Sequence, residues 1–289
     1  MRYAFSGLSM LRMKWYLLIA MVYCSHAWAL PSFTEQTQQA CSACHLNFGE
    51  LTPVGRKFKL MGYARGNRVN PLSVNGTVSL SKISNTDSSA DPSVSLPKNG
   101  KVLPEELNVF MAGKLTEQIG SNVKLTVNAI NTTPLFSTSG VQTGTKVGKD
   151  VFLDNSEIRF AQSAQMNSTP MVWGITLNNA PSTQDLWSTT PGHGFPYRSS
   201  SLLNAWGLGQ FGPTAMMDNG MNSQVLGVGV FAMLNDVWYG EFTSYHGSKT
   251  AIPALEVATA NNAVSTSNNP YWRLAWNPVD GPHSWMLGT

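Results

Sequence analysis

The sequence predicts a mainly β protein with a small α-helical unit near its amino terminus. Three observations predict it. From Val123 onward apolar and polar residues alternate with the two-residue period of strands that have unlike faces. Beyond Tyr63 no helical apolar stripe of convincing length occurs. Charged residues make up only 12% of the 289 residues, about half the share usual in soluble globular proteins. The formal net charge of +3 gives no reason to expect nucleic acid as a partner.

Residues 1–29 read as a secretory signal peptide. Arg2, Arg12 and Lys14 precede the apolar run Trp15–Tyr23, and Ala27-Trp28-Ala29 forms a small-x-small cleavage site. The run is too short for a membrane-spanning helix, which needs roughly 20 residues. Tyr23 is too bulky for the position before a lipoprotein cysteine, so Cys24 is expected to leave with the signal peptide. The protein is therefore expected to be exported.

Residues 30–66 are expected to form the first domain. Of the three cysteines, Cys41 and Cys44 then remain, in Cys41-Ser42-Ala43-Cys44-His45. This spacing reads as a c-type haem attachment motif. Two thiols one helical turn apart can add to the two porphyrin vinyl groups, and the adjacent imidazole reaches the iron as proximal ligand. A disulfide would close a very tight ring. A thioredoxin-like redox pair needs a βαβ context that is not visible, and a zinc site needs further ligands, the next histidine being His193. One covalent haem c is thus expected on Cys41 and Cys44, with His45 on the iron.

A helix from Thr34, as its cap, to His45 is expected to present the motif, with Asn47-Phe48-Gly49 breaking it. Pro53 opens a second helix whose apolar contacts are Val54, Phe58, Leu60 and Met61, and Gly62 stops it. Phe33, Phe48, Phe58 and Tyr63 are candidates for a haem-pocket wall and equally for ordinary core. Met61 is the nearest soft donor and the candidate distal ligand, against which stands packing, the commoner role of a methionine in a short amphipathic helix. His193, His246 and His283 lie far along the chain.

Residues 67–104 are expected to hold a linker and a first β segment, since Asn85 to Gly100 is rich in turn formers. The strands expected in residues 105–289 are Val123–Ile130, Val151–Gln165, Met171–Asn178, Val225–Leu234, Val237–Tyr245 and Tyr271–Trp276. Low charge, the long Pro181–Ser201 loop and glycines inside Val225–Val230 favour an outer-membrane β-barrel. A soluble β-sandwich is the alternative. Gly227 and Gly229 form no phosphate loop, since neither the helix nor the lysine follows.

One stretch carries a resemblance. Phe33 and Gln36-Thr37 ahead of the haem motif, then Leu51-Thr52-Pro53, Gly55-Arg56, Phe58-Lys59-Leu60 and Gly62-Tyr63, resemble the head of fused monohaem cytochrome–porin outer-membrane proteins, the outer-membrane iron oxidases among them. The resemblance implies a short c-type cytochrome domain at or inside the mouth of a porin-like barrel in the cell outer membrane. It implies electron transfer from an extracellular donor, ferrous iron being the candidate, to a periplasmic electron carrier. It also suggests haem propionates or the barrel wall as contacts for Arg56 and Lys57, whose other reading is solvated surface. Such proteins are expected to have a longer porin portion of about sixteen strands. Here the residues after the linker have room for about eight to ten, and the chain stops at Met286-Leu287-Gly288-Thr289 within an apparent strand. The barrel portion is therefore expected to be truncated.

Two further functions stand beside electron transfer: a solute porin whose haem unit is a plug, and a periplasmic electron-transfer cytochrome with a soluble β domain. Hydrolytic catalysis has no support in the motifs. Ferrous iron oxidation, if present, would be electron loss at the haem.

Overall fold

The computed structural model describes residues 30–46, 50–82, 99–136, 142–187, 200, 202, 221, 224–247, 268–280 and 283–289. The expected signal peptide, most of the linker, Phe48, His193, the side chain of His283 and most of the Pro181–Ser201 loop lie outside the described residues.

Three short helices begin the described chain: α1 Pro31–Thr37, α2 Cys41–Cys44 and α3 Pro53–Leu60. The single helix expected from Thr34 to His45 is thus two. Gln38 turns left-handed at φ 56° and donates its N–H to the Thr34 carbonyl, which closes α1, and Ala40 is extended before the motif turn begins. Thr34 lies inside α1, and the capping position is Leu30 with Pro31 next, where a missing N–H costs nothing. α3 starts and stops as expected. Thr52 caps it by accepting from the Gly55 N–H at 3.1 Å, and left-handed Gly62 and Tyr63 (φ 66° and 57°) end it.

The rest is mainly β. β1 Leu72–Leu80, β2 Val102–Lys114, β3 Ile119–Phe136, β4 Gln142–Met166, β5 Thr169–Asn178, β6 Val225–Leu234, β7 Trp238–Gly247 and β8 Asn269–Trp276 pair in sequence order, and β11 Leu287–Gly288 adds to β8. Every pairing is antiparallel. A separate hairpin joins β9 Val279–Asp280 to β10 His283–Ser284, and one helical turn, α4 Pro181–Gln184, follows β5. The large sheet is a single meander, not the two facing sheets of a sandwich. It is open: among the described residues nothing pairs β1 with β11. Each of the six expected strands lies on an observed one. β2 was not expected, because Pro104-Glu105-Glu106 breaks the strand pattern, and the ladder with β1 shifts register there, between Thr77 and Val78.

One face of this sheet is exposed and apolar, and the other is buried, carrying polar and charged groups beside an apolar cluster of Ala161, Val172, Phe231, Met233, Tyr239 and Ala275. Outward positions carry Val74, Leu107, Leu125, Ile175, Leu177, Val228, Val230, Phe242, Trp272 and Leu274, all exposed. Inward positions carry Asn108, Lys124, Thr126, Asp154, Glu157, Arg159, Thr176, Glu241, Thr243 and Arg273, all buried. Buried polar groups and an exposed apolar face are the informative departures from the usual distribution.

The two ends of the sheet differ as well. At one end three connections are tight, Leu115–Gln118, Asn167–Ser168 and Asn235–Val237, the second a two-residue turn with both φ angles positive, while the β8–β11 connection at the same end runs over residues 277–286. At the other end the connections are longer, running over residues 81–101, 137–141, 179–224 and 248–268. The outward Trp238 and Trp276 stack at 6.0 Å between ring centroids beside the tight-turn end.

Candidate functional site

The motif is a single helical turn pinned from its carboxyl side. His45 N–H donates to the Cys41 carbonyl at 2.9 Å, and His45 bridges to Leu51 in a short antiparallel contact. Thr52 is the main clamp. Its N–H donates to the Cys44 carbonyl at 2.9 Å and its hydroxyl to the Ala43 carbonyl at 2.6 Å, while the same oxygen caps α3. Gly55 then crosses the motif so closely that an added Cβ would lie 2.2 Å from the Cys44 carbonyl oxygen. Gly55→Ala is therefore expected to destabilise the helical unit by about 1–3 kcal/mol, the cost of overpacking. Haem staining per polypeptide, measured against wild type, should fall several-fold.

The residues fit the group that the motif implies. Cys41 and Cys44 are both half-buried and not joined to each other in a disulfide. Burial, with a smaller contribution from neighbouring Cys41, pushes the Cys44 thiol up, holding it as a thiol. Burial lowers the His45 imidazole, which favours the neutral form that a metal binds. His45 Nδ1 is buried without a hydrogen-bond partner among the described residues, a polar atom that the chain itself leaves unsatisfied. No group of three His, Cys, Asp or Glu side chains suited to a bare metal ion occurs among the described residues.

Cys41, Cys44 and His45 lie together on and beside one helical turn, and Met61 follows the last residue of α3. Met61 packs on the core cluster of the sheet, its Sδ 3.8 Å from Ser163 Oγ. Phe33, Phe58 and Tyr63 meet at centroid distances of 5.1, 5.4 and 5.8 Å. Lys57 pairs with Asp236 at 2.5 Å in the tight turn between β6 and β7, and Arg56 donates to the Leu51 carbonyl at 3.1 Å. His246 is exposed on β7.

Sequence reasoning missed the groups that seat this unit against the sheet. Gln36, buried in α1, donates to the carbonyls of Tyr63 and Arg65, both at 2.6 Å, and accepts the Lys114 N–H at the end of β2. Tyr63 donates to Glu157 at 2.9 Å, and Glu157 pairs with Arg159 at 2.8 Å, the side chains being 1% and 0% exposed. Arg159 also donates to the Lys59 carbonyl and lies 4.3 Å above the Phe231 ring. Lys59 in turn donates to the Asp185 carbonyl at 2.9 Å, and the Asp185 carboxylate pairs with Arg273 at 2.9 Å. Residues 179–187 thus fold back onto the inner face of the sheet. Gln184 reaches Thr243 and Tyr245, and Trp187 donates to Asn277 at 3.1 Å. The available signal was charge at inward strand positions, Glu157 with Arg159 and later Glu241 and Arg273, in a chain with few charges. No family model, curated protein or solved structure matches this chain.

Proposed function

We propose that this chain is a c-type cytochrome of the outer membrane that passes electrons from an extracellular donor, ferrous iron being the candidate, to a periplasmic carrier. The observation that carries the reading is the sheet's exposed apolar outer face, with buried charges among its inward residues and the helical unit of Cys41–His45 held against them through Tyr63 and Lys59. An outward apolar band over ten-residue strands suits a bilayer core, and inward polar and charged groups suit a barrel lumen. The stacked Trp238 and Trp276 suit an interfacial aromatic girdle. A bilayer tolerates no open sheet edge, so the reading includes pairing across β1 and β8–β11 beyond the described strands.

Within it, Cys41 and Cys44 hold the porphyrin covalently and His45 binds the iron. Bound haem supplies one-electron exchange. Thr52 and Gly55 hold the motif turn in register with α3. The Gln36, Lys59, Tyr63 and Arg159 contacts fix the unit relative to the sheet, and the site asks for no acid–base residue.

The test uses washed outer membranes from cells able to attach haem. Ferrous iron added anaerobically should bring up the reduced-haem absorbance bands within the mixing time. The Cys41→Ala/Cys44→Ala variant should stay silent. Haem-loaded membranes that ignore ferrous iron would remove iron as the donor, and a haem-loaded protein found only in the soluble periplasmic fraction would remove the membrane.

A further inference from the structure

Long and short connections divide the two ends of the sheet, and the motif belongs to one of them. The contacts of Lys57, Gln36, Gly62 and Met61 lie toward the tight-turn end, whereas Tyr63 and Lys59 reach further along the strands to Glu157 and Asp185. Lys57 meets Asp236 in the turn after β6, and Gln36 meets Lys114 at the end of β2. Gly120, at the start of β3, lies so close to Gly62 that an added Cβ would be 2.1 Å from its carbonyl oxygen. Met61 meets Ser163, just before the Asn167–Ser168 turn, and β1 leaves the unit upward from Leu72. From above, the 179–187 segment closes the inner face against the unit through Asp185, Lys59 and Arg273.

Barrels of the outer membrane place short turns in the periplasm and long loops outside the cell. We infer that the Cys41–His45 unit faces the periplasm, so that the periplasmic carrier touches it directly from that side. This rests on the membrane reading above. A ten-residue strand is about 33 Å long, and tilted it spans a band of about 25 Å. A small external donor therefore has to enter the lumen from the long-loop end, past the infolded segment, to come within reach of the motif.

The experiment reads which side of the membrane each end occupies. One epitope goes after Arg68, exposed just beyond the helical unit, and another after Gly100, exposed before β2 at the long-loop end. Antibody on intact cells should stain the Gly100 epitope alone. The Arg68 epitope should stain only after the outer membrane is permeabilised. Because an insertion can spoil folding, trypsin digestion of intact cells making the untagged protein gives a second reading. It should cut after exposed Lys82 or Lys101 and spare Arg65 and Arg68 until permeabilisation. Surface staining at Arg68, or tryptic cuts at Arg65 and Arg68 on intact cells, would overturn the inference while leaving the membrane reading in place. A protein absent from the outer-membrane fraction would overturn both.

Discussion

Arg159→Met is expected to destabilise the folded protein by about 3–5 kcal/mol, the usual cost of removing one partner of a buried ion pair. Glu157, 1% exposed, would lose its guanidinium partner and be left with the hydroxyl donors of Tyr63 and Thr176. The loss should also loosen the helical unit, because Arg159 donates to the Lys59 carbonyl and Tyr63 answers to the same carboxylate. Urea unfolding of the protein reconstituted in lipid, followed by tryptophan fluorescence, measures it. The Arg159→Met/Glu157→Gln double variant removes both charges, and its amide can accept from one of the Tyr63 and Thr176 hydroxyls and donate to the other, so it should recover most of the loss. A single variant as stable as wild type would show that the pair is not buried as described.

The second large effect falls on the motif. Cys41→Ala/Cys44→Ala is expected to carry no covalent haem, read as complete loss of haem staining after denaturing electrophoresis. Both cysteines are half-buried outside any disulfide, and the motif turn is held by backbone and Thr52 contacts that alanine preserves. Sheet stability should therefore change by less than about 1 kcal/mol, as for substitutions that create no sizeable cavity. Persisting stain in the variant would sink the attachment assignment. Stain lost together with folding would mean that these side chains are structural.

Much of the β architecture was legible because alternation is a local property. Val225–Leu234 is β6 residue for residue, and Met171–Asn178 lies wholly inside β5. The start of β2 was not legible, since Pro104 and two glutamates obscure the period and only pairing with β1 restores it. The motif helix was read as too long. What stops α1 is the left-handed backbone of Gln38, in a run of residues that carries no glycine to announce it.

The same division runs through the site. The sequence by itself determined that Cys41, Cys44 and His45 lie within one turn, because their spacing is covalent, and the proposed haem attachment rests on that spacing. It also determined the two-faced character of the strands. Only the tertiary structure decided that the charged strand positions turn inward, that Met61 packs on the sheet, and that Tyr63, Glu157, Arg159, Lys59, Asp185 and Arg273 meet. Periodicity says that two faces differ but not which one is covered, since that depends on what the sheet folds around. A network joining residues 59 and 273 has no local signature, because its members become neighbours only when the strands between them are laid side by side.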